Sequence, residues 1–275
     1  LPDEAWFWAC HQNRLPFSVL VEIALQPCGF MAAYMGSALQ SETDLKFRNL
    51  SGEAILLQDI RKGSGRLSIE VASTKIARSG DMIIQDYSFR VFNAAGDVYV
   101  GTTSFGFFTE AALASQAGIR GEAAFVDRPI DNIYPSAHAL PSGQIRMVDR
   151  WQADGDKIYG AKKVNPEEWF FQAHFFEDPV MPGSLGLESI LQVLEAEAHS
   201  KAPHAATWRV TLNSRHNWVY RGQVRKHNKE VRLALNVKER SKHALTVDSV
   251  LYCDGFAIYS LNGLSIEAAP ILFEV

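Results

Sequence analysis

At 275 residues and 47% hydrophobic composition, the chain has material for one large domain or two small ones, each with a core. A formal net charge of −4 gives no electrostatic reason to expect nucleic acid or an anionic membrane as partner. Cys10, Cys28 and Cys253 are scattered and lack CxxC spacing, which argues against a disulfide framework or structural zinc and fits a reducing, cytoplasmic setting. No apolar run is read as long enough to span a membrane, and no signal-peptide pattern opens the chain. The start at Leu1 rather than methionine suggests a piece of something longer.

In chain order, LVEIALQPCGFMAAYMGSALQ (20–40) is predicted to be one strongly apolar helix. Residues 44–108 then alternate β-rich runs with turns: AILLQDI, RLSIEVASTKI, DMIIQDYSFRVF and DVYVGTTSFGFF. Residues 109–144 are weakly periodic and rich in Ala, Gly and Pro, which predicts a surface linker. A second helix is predicted from Ser184, as its cap, through about Ala198. Four more β-rich runs follow over 207–267, and the period-2 alternation in LTVDSVLYC marks half-buried strands.

The two halves match in detail. A shift of 166 lays Pro16 on Pro182, Glu22 on Glu188 and Gln26 on Gln192; a shift near 164 lays Ile60-Arg61-Lys62 on Val224-Arg225-Lys226. Self-similarity across halves is the mark of an internal duplication. The expected fold is α+β, two tandem units in which an antiparallel sheet wraps one long apolar helix, joined edge to edge as a pseudo-dimer. The expected boundaries are 1–108, a 109–144 linker and 145–275. The first unit has nothing matching 145–164, so its sheet should lack its opening strands or borrow cover from residues upstream of this fragment.

One stretch carries chemistry: VNPEEWFFQAHFFEDPVMPGSLGLESILQ, residues 164–192. His174 lies in an aromatic run; Asp178-Pro179 and Met181-Pro182-Gly183 are turn chemistry, and Glu188 with Gln192 at i+4 sits one turn inside the helix. This pattern, H-F-x-x-D-P-V-M-P-G-x-L-G-L-[DE], resembles the β-hydroxyacyl-carrier-protein dehydratases of the hot-dog fold, in the dehydratase/isomerase branch. The first half looks like the degenerate N-terminal hot dog in dehydratase regions of polyunsaturated fatty acid synthases and iterative polyketide synthases.

The resemblance implies dehydration of 3-hydroxyacyl thioesters on an acyl carrier protein, within a multienzyme, with no cofactor and no metal. His174 would be the base, since imidazole titrates near neutrality. A carboxyl kept protonated by an apolar cleft would be the acid. Gly183 would offer its N–H to the thioester oxygen at the helix mouth. Gln26 and Gln192 would orient the carboxylates, and Phe175, Val180 and Pro182 would line the acyl tunnel. In homodimeric relatives the histidine of one protomer faces the acid of the other. Carried onto a fused pair, that rule matches His174 with Glu22 and leaves Glu188 as the alternative acid. Glu188 would then face a vestigial site at His11, by gapped alignment of WFWACH on WFFQAH, or at Trp8 without a gap.

The competing readings are plain ones. A lone histidine in an aromatic run is usually a core residue, and Glu22 and Glu188 could be helix charges reaching solvent. His199, His204, His216, His227 and His243 lack metal-ligand spacing and default to the surface. Cys28 reads as a buried thiol in a helix rather than a nucleophile. A hot-dog thioesterase, or a non-catalytic acyl-binding pseudo-dimer, are the other function classes.

Overall fold

The computed structural model describes residues 1, 5–11, 13–80, 82–134, 145–175, 177–201 and 207–269. His204 and residues 135–144 of the expected linker lie outside the described residues. A short turn of helix, α1 (Phe7–Cys10), leads into the first long helix, α2 (Phe17–Tyr34). Proline ahead of a helix costs no hydrogen bond, and the Pro16 carbonyl accepts from the Leu20 N–H at 3.1 Å. The helix ends at Tyr34, not at residue 40 as expected. Gly36 takes a left-handed φ of 71°, a stop that glycine allows without strain, and Ser37–Gln40 form only a 3₁₀ turn.

Four long strands follow: β1 (Lys46–Leu56), β2 (Ser68–Ser79), β3 (Met82–Asn93) and β4 (Gly96–Phe108). After α3 (Glu110–Ala114) come β5 (Asn132–Ile133), β6 (Arg150–Asp154), β7 (Lys157–Lys163) and the short α4 (Phe170–Ala173). The second long helix, α5 (Gly183–Lys201), precedes β8 (Trp208–Val210), β9 (Arg215–Tyr220), β10 (Glu230–Arg240), β11 (Ala244–Cys253) and β12 (Phe256–Ala268). Alternation is clear in β3 and β11, whose every second residue is buried over most of their length.

Among the described residues the strands form one sheet in the order β2-β3-β4-β1-β9-β12-β11-β10-β7-β6-β5, with β8 pairing β12. Every pairing is antiparallel, and β1 meets β9 in the middle, with Glu53 opposite Asn217. The two long helices pack against each other; α2 also lies on β2, β3 and β4, and α5 on β6, β7, β11 and β12. One apolar cluster runs through both sides, from Val21 and Ala24 on α2 to Val193 and Leu194 on α5. Removing this much apolar surface from water is the main term holding the layers together.

Two expectations change here. Phe17–Leu39 is, by length and composition, apolar enough to cross a membrane. Its apolar face is taken up by the sheet and α5, burying Phe17, Leu20, Val21, Ala24, Cys28 and Ala32. The expected linker is also more firmly attached than its composition suggested. Ile119 N–H donates to the Ala257 carbonyl at 2.8 Å, Ile130 packs with Tyr159 and Ala161, and Tyr134 is 1% exposed.

Candidate active site

His174 follows α4 directly and is held by its own loop. Its N–H donates to the Phe170 carbonyl (2.9 Å), while its carbonyl accepts from the Val180 N–H (2.8 Å). Its ring Nδ1 lies 3.0 Å from the Val180 carbonyl oxygen. A carbonyl can only accept, so Nδ1 carries the proton and the Nε2 lone pair is the basic site. Burial pushes the His174 pKa down, against a smaller upward pull from the Val180 hydrogen bond and the Glu22 charge. The ring is therefore neutral near pH 7, as a base must be.

Glu22 reaches the same place from α2. Ser184, the second residue of α5, donates its hydroxyl to Glu22 Oε1 at 2.5 Å, and Gln26 Nε2 donates to Glu22 Oε2 at 3.1 Å. Ser184 therefore does not cap its helix as expected; the Pro182 carbonyl opens α5 by accepting from Leu185 and Gly186. Nor is the Glu22 carboxyl in an apolar cleft. It is half-buried, and polar groups hold both of its oxygens.

Gly183 begins α5, so its N–H has no partner within the helix. A Cβ at this position would lie 2.6 Å from Cε2 of Tyr220. Only glycine lets the tyrosine ring lie across the helix mouth. Glu22, His174, Gly183, Ser184 and Tyr220 line one cavity of about 450 Å³, within the range of small-molecule sites. From Glu22 the cavity follows one face of α2 through Leu25, Gly29 and Ala33, with Phe47 of β1 and Phe105 and Phe107 of β4 opposite. Phe175 and Val180 also line it. Pro182, expected in the tunnel wall, is not among the lining residues; it is buried in the turn that starts the helix.

Glu188 does not join them. It is 1% exposed, accepts from Ser18 Oγ (2.7 Å) and Gln192 Nε2 (3.0 Å), and lies 3.7 Å from His11 Nε2. Gln192 also donates to the Ile145 carbonyl and accepts from the Met147 N–H. Glu188 as alternative acid to His174 is thus corrected: it faces the other way, toward His11 rather than Trp8. Burial pushes its carboxyl up, but the His11 ring, Gln192 and Ser18 together bring it below the usual range. The space there is about 50 Å³, and HQNRLPF supplies neither the longer turn nor a glycine.

Sequence reading missed Ser184 as a partner for Glu22, the tyrosine at 220, and Arg48, whose Nη1 lies 2.6 Å from Asp178 Oδ2. It also misplaced His216, which is buried 3.0 Å from the Tyr99 hydroxyl, its pKa lowered by burial to about 4. Cys28 is a buried thiol pushed up to about 12, as its helical setting suggested, and Cys253 is likewise buried and free.

An antiparallel sheet with a long helix laid on it is a fold that the comparisons also find. Residues 140–262 carry a FabA-like domain. The chain is 31% identical over 321 aligned residues to a polyunsaturated fatty acid synthase subunit from Thraustochytrium sp., covering 98% of this chain and 21% of that protein. It thus spans about a fifth of that relative's length. Among solved structures, the dehydratase domain of RzxB from Pseudomonas fluorescens superposes with a TM-score of 0.57 at 10% identity, covering 97% of this chain and 92% of that one. An acyl-ACP thioesterase from Bacteroides thetaiotaomicron superposes with a TM-score of 0.56 at 12% identity, covering 94% and 93%. At such identities these structures speak for the hot-dog fold alone.

Proposed function

We propose that this chain dehydrates 3-hydroxyacyl thioesters carried on an acyl carrier protein to 2-enoyl thioesters, as one region of a cytoplasmic fatty acid or polyketide multienzyme. The observation that carries the reading is the meeting of His174, Glu22 and Gly183 in one cavity with an apolar arm. In this mechanism His174 Nε2 removes the proton α to the thioester carbonyl. The Gly183 N–H, at the positive end of α5, steadies the oxygen as it gains enolate character. Glu22, as the acid of the pair, gives a proton to the departing 3-hydroxyl, which leaves as water. Residual 2,3 to 3,4 isomerisation would use the same two groups.

The architecture in this reading is a double hot dog with pseudo-two-fold symmetry, with units at 1–108 and 145–275 and 109–144 between them. Support comes from the β1–β9 pairing, where Glu53 opposes Asn217, its own counterpart under the 164-residue shift. The Leu15 N–H to Ile60 carbonyl bond (2.8 Å) has its twin in Met181 to Val224 (2.9 Å). His174 with Glu22 is then the working site, and His11 with Glu188 its closed counterpart.

The thioesterase reading shares the fold but would use its carboxylate to activate water and release a free acid. Supplying the purified chain with 3-hydroxyacyl-carrier-protein substrates of several lengths and separating the products by mass decides between them. Enoyl thioester is the expected product; free 3-hydroxy acid as the main product would overturn the dehydratase reading.

A further inference from the structure

Arg48 is on β1, in the half of the chain without the histidine motif, yet its side chain belongs to the His174 loop. It is 8% exposed and reaches Asp178, itself 9% exposed. Nη1 lies 2.6 Å from Asp178 Oδ2 and donates to the Phe47 carbonyl (2.7 Å); Nη2 donates to Gln223 Oε1 at 2.9 Å. Asp178 is the pivot of the loop after the histidine. Its N–H donates to the Phe175 carbonyl (3.2 Å) and its carbonyl accepts from the Phe175 N–H (3.1 Å). Two residues on, Val180 is bonded to His174 through backbone and ring alike. A continuous run of contacts therefore leads from β1 through Arg48, Asp178 and Val180 to the imidazole.

We propose that Arg48 is a positioning residue for His174, holding Asp178 so that the Val180 carbonyl fixes the ring's tautomer. This rests on His174 being the reacting base. Two requirements make the residue an arginine. The planar fork places one nitrogen on Asp178 and the other on Gln223 in a fixed geometry, which the single nitrogen of a lysine ammonium cannot reproduce. A fixed positive charge beside the ring also disfavours the imidazolium. The charged groups acting on His174 are Glu22 from α2, which favours protonation, and Arg48 from β1, which opposes it. Asp178 neutralises Arg48 from the loop itself.

The test is a ¹⁵N NMR titration of the His174 ring, assigned by loss of its signals in His174→Gln, in wild type, Arg48→Gln, Arg48→Lys and Asp178→Asn. Arg48→Gln should raise the His174 midpoint and weaken the Nδ1–H signature. Arg48→Lys, keeping the charge, should hold the midpoint near wild type and lose only part of the tautomer preference. Asp178→Asn should weaken the tautomer signature without raising the midpoint. In turnover, the acid limb of kcat/KM should move up in Arg48→Gln alone. Should Arg48→Gln fail to fold, the other two variants carry the test, since both should weaken the tautomer signature without raising the midpoint. An unchanged midpoint and tautomer in every folded variant would overturn the proposal. The titration needs no substrate, so a shifted titration in a chain without dehydratase turnover would count against the function and not against Arg48.

Discussion

Ser184 on α5 donates its hydroxyl to Glu22 on α2 at 2.5 Å, so the first long helix delivers its carboxylate to the mouth of the second. Glu188, its counterpart, is turned away onto His11. Glu22→Gln should therefore cost about 10²–10⁴-fold in kcat, the usual worth of a placed proton donor, with the fold kept. Glu188→Gln should leave kcat within a few-fold but lower the urea midpoint, losing roughly 2 kcal/mol of hydrogen bonding to a charged group. Both variants are compared under one assay. A dead Glu188 variant beside a healthy Glu22 variant would refute the pairing across the two halves.

His174→Ala removes the proposed base without disturbing the core, because the ring is only half-buried. Turnover should fall about 10²–10⁴-fold while the melting curve stays close to wild type. Near-full activity in a clean preparation would return His174 to the role of a packing residue.

What could be read from residues and what could not divides by sequence distance. The DPVMPG turn, the helix after it and the twin Glu–Gln pairs at i+4 are local, set by φ preferences and helical spacing. The Ser184–Glu22 and Arg48–Asp178 contacts join residues far apart, and they exist because β1 pairs with β9. Period-2 alternation did contain His216's burial, between inward Trp218 and outward Arg215, yet histidine's polarity argued for the surface. The placing of Pro182 failed for a related reason: the motif says which residues form the turn, not which of their faces meets the cavity.

Gly183→Ala is a test of the helix mouth. The added Cβ would meet the Tyr220 ring at 2.6 Å, so either the ring or the start of α5 must move. A displacement near 1 Å at a reacting centre costs about 10²-fold, and that loss in kcat is expected. Gly183→Ala combined with Tyr220→Leu makes room for the methyl and should recover part of it. Equal loss in the single and double variants would mean that the clash is not the cause.

The closed site should show itself in the pH dependence of stability. Glu195 faces the same small space as His11 and Glu188, and burial pushes its carboxyl from 4.5 up to about 8. A carboxyl whose folded pKa is raised favours folding while it keeps its proton. That contribution is complete below about pH 4.5 and is lost as pH rises through about 8. The His11 ring is opposed by burial, but Glu188 outweighs this and leaves its pKa raised. Its contribution is complete below 6.5 and is lost as pH rises through its folded value, so both groups act in the same direction. Glu188, held low, acts oppositely but only below 4.5, as pH falls through its folded value. The urea midpoint of the wild type should therefore fall between pH 6 and 8. Glu195→Gln, which carries no ionisable proton, should flatten most of that fall, and His11→Gln should flatten the remainder while lowering the midpoint at pH 6. A wild-type midpoint that stays level or rises across this range would show that neither group is held in the folded chain as its surroundings require.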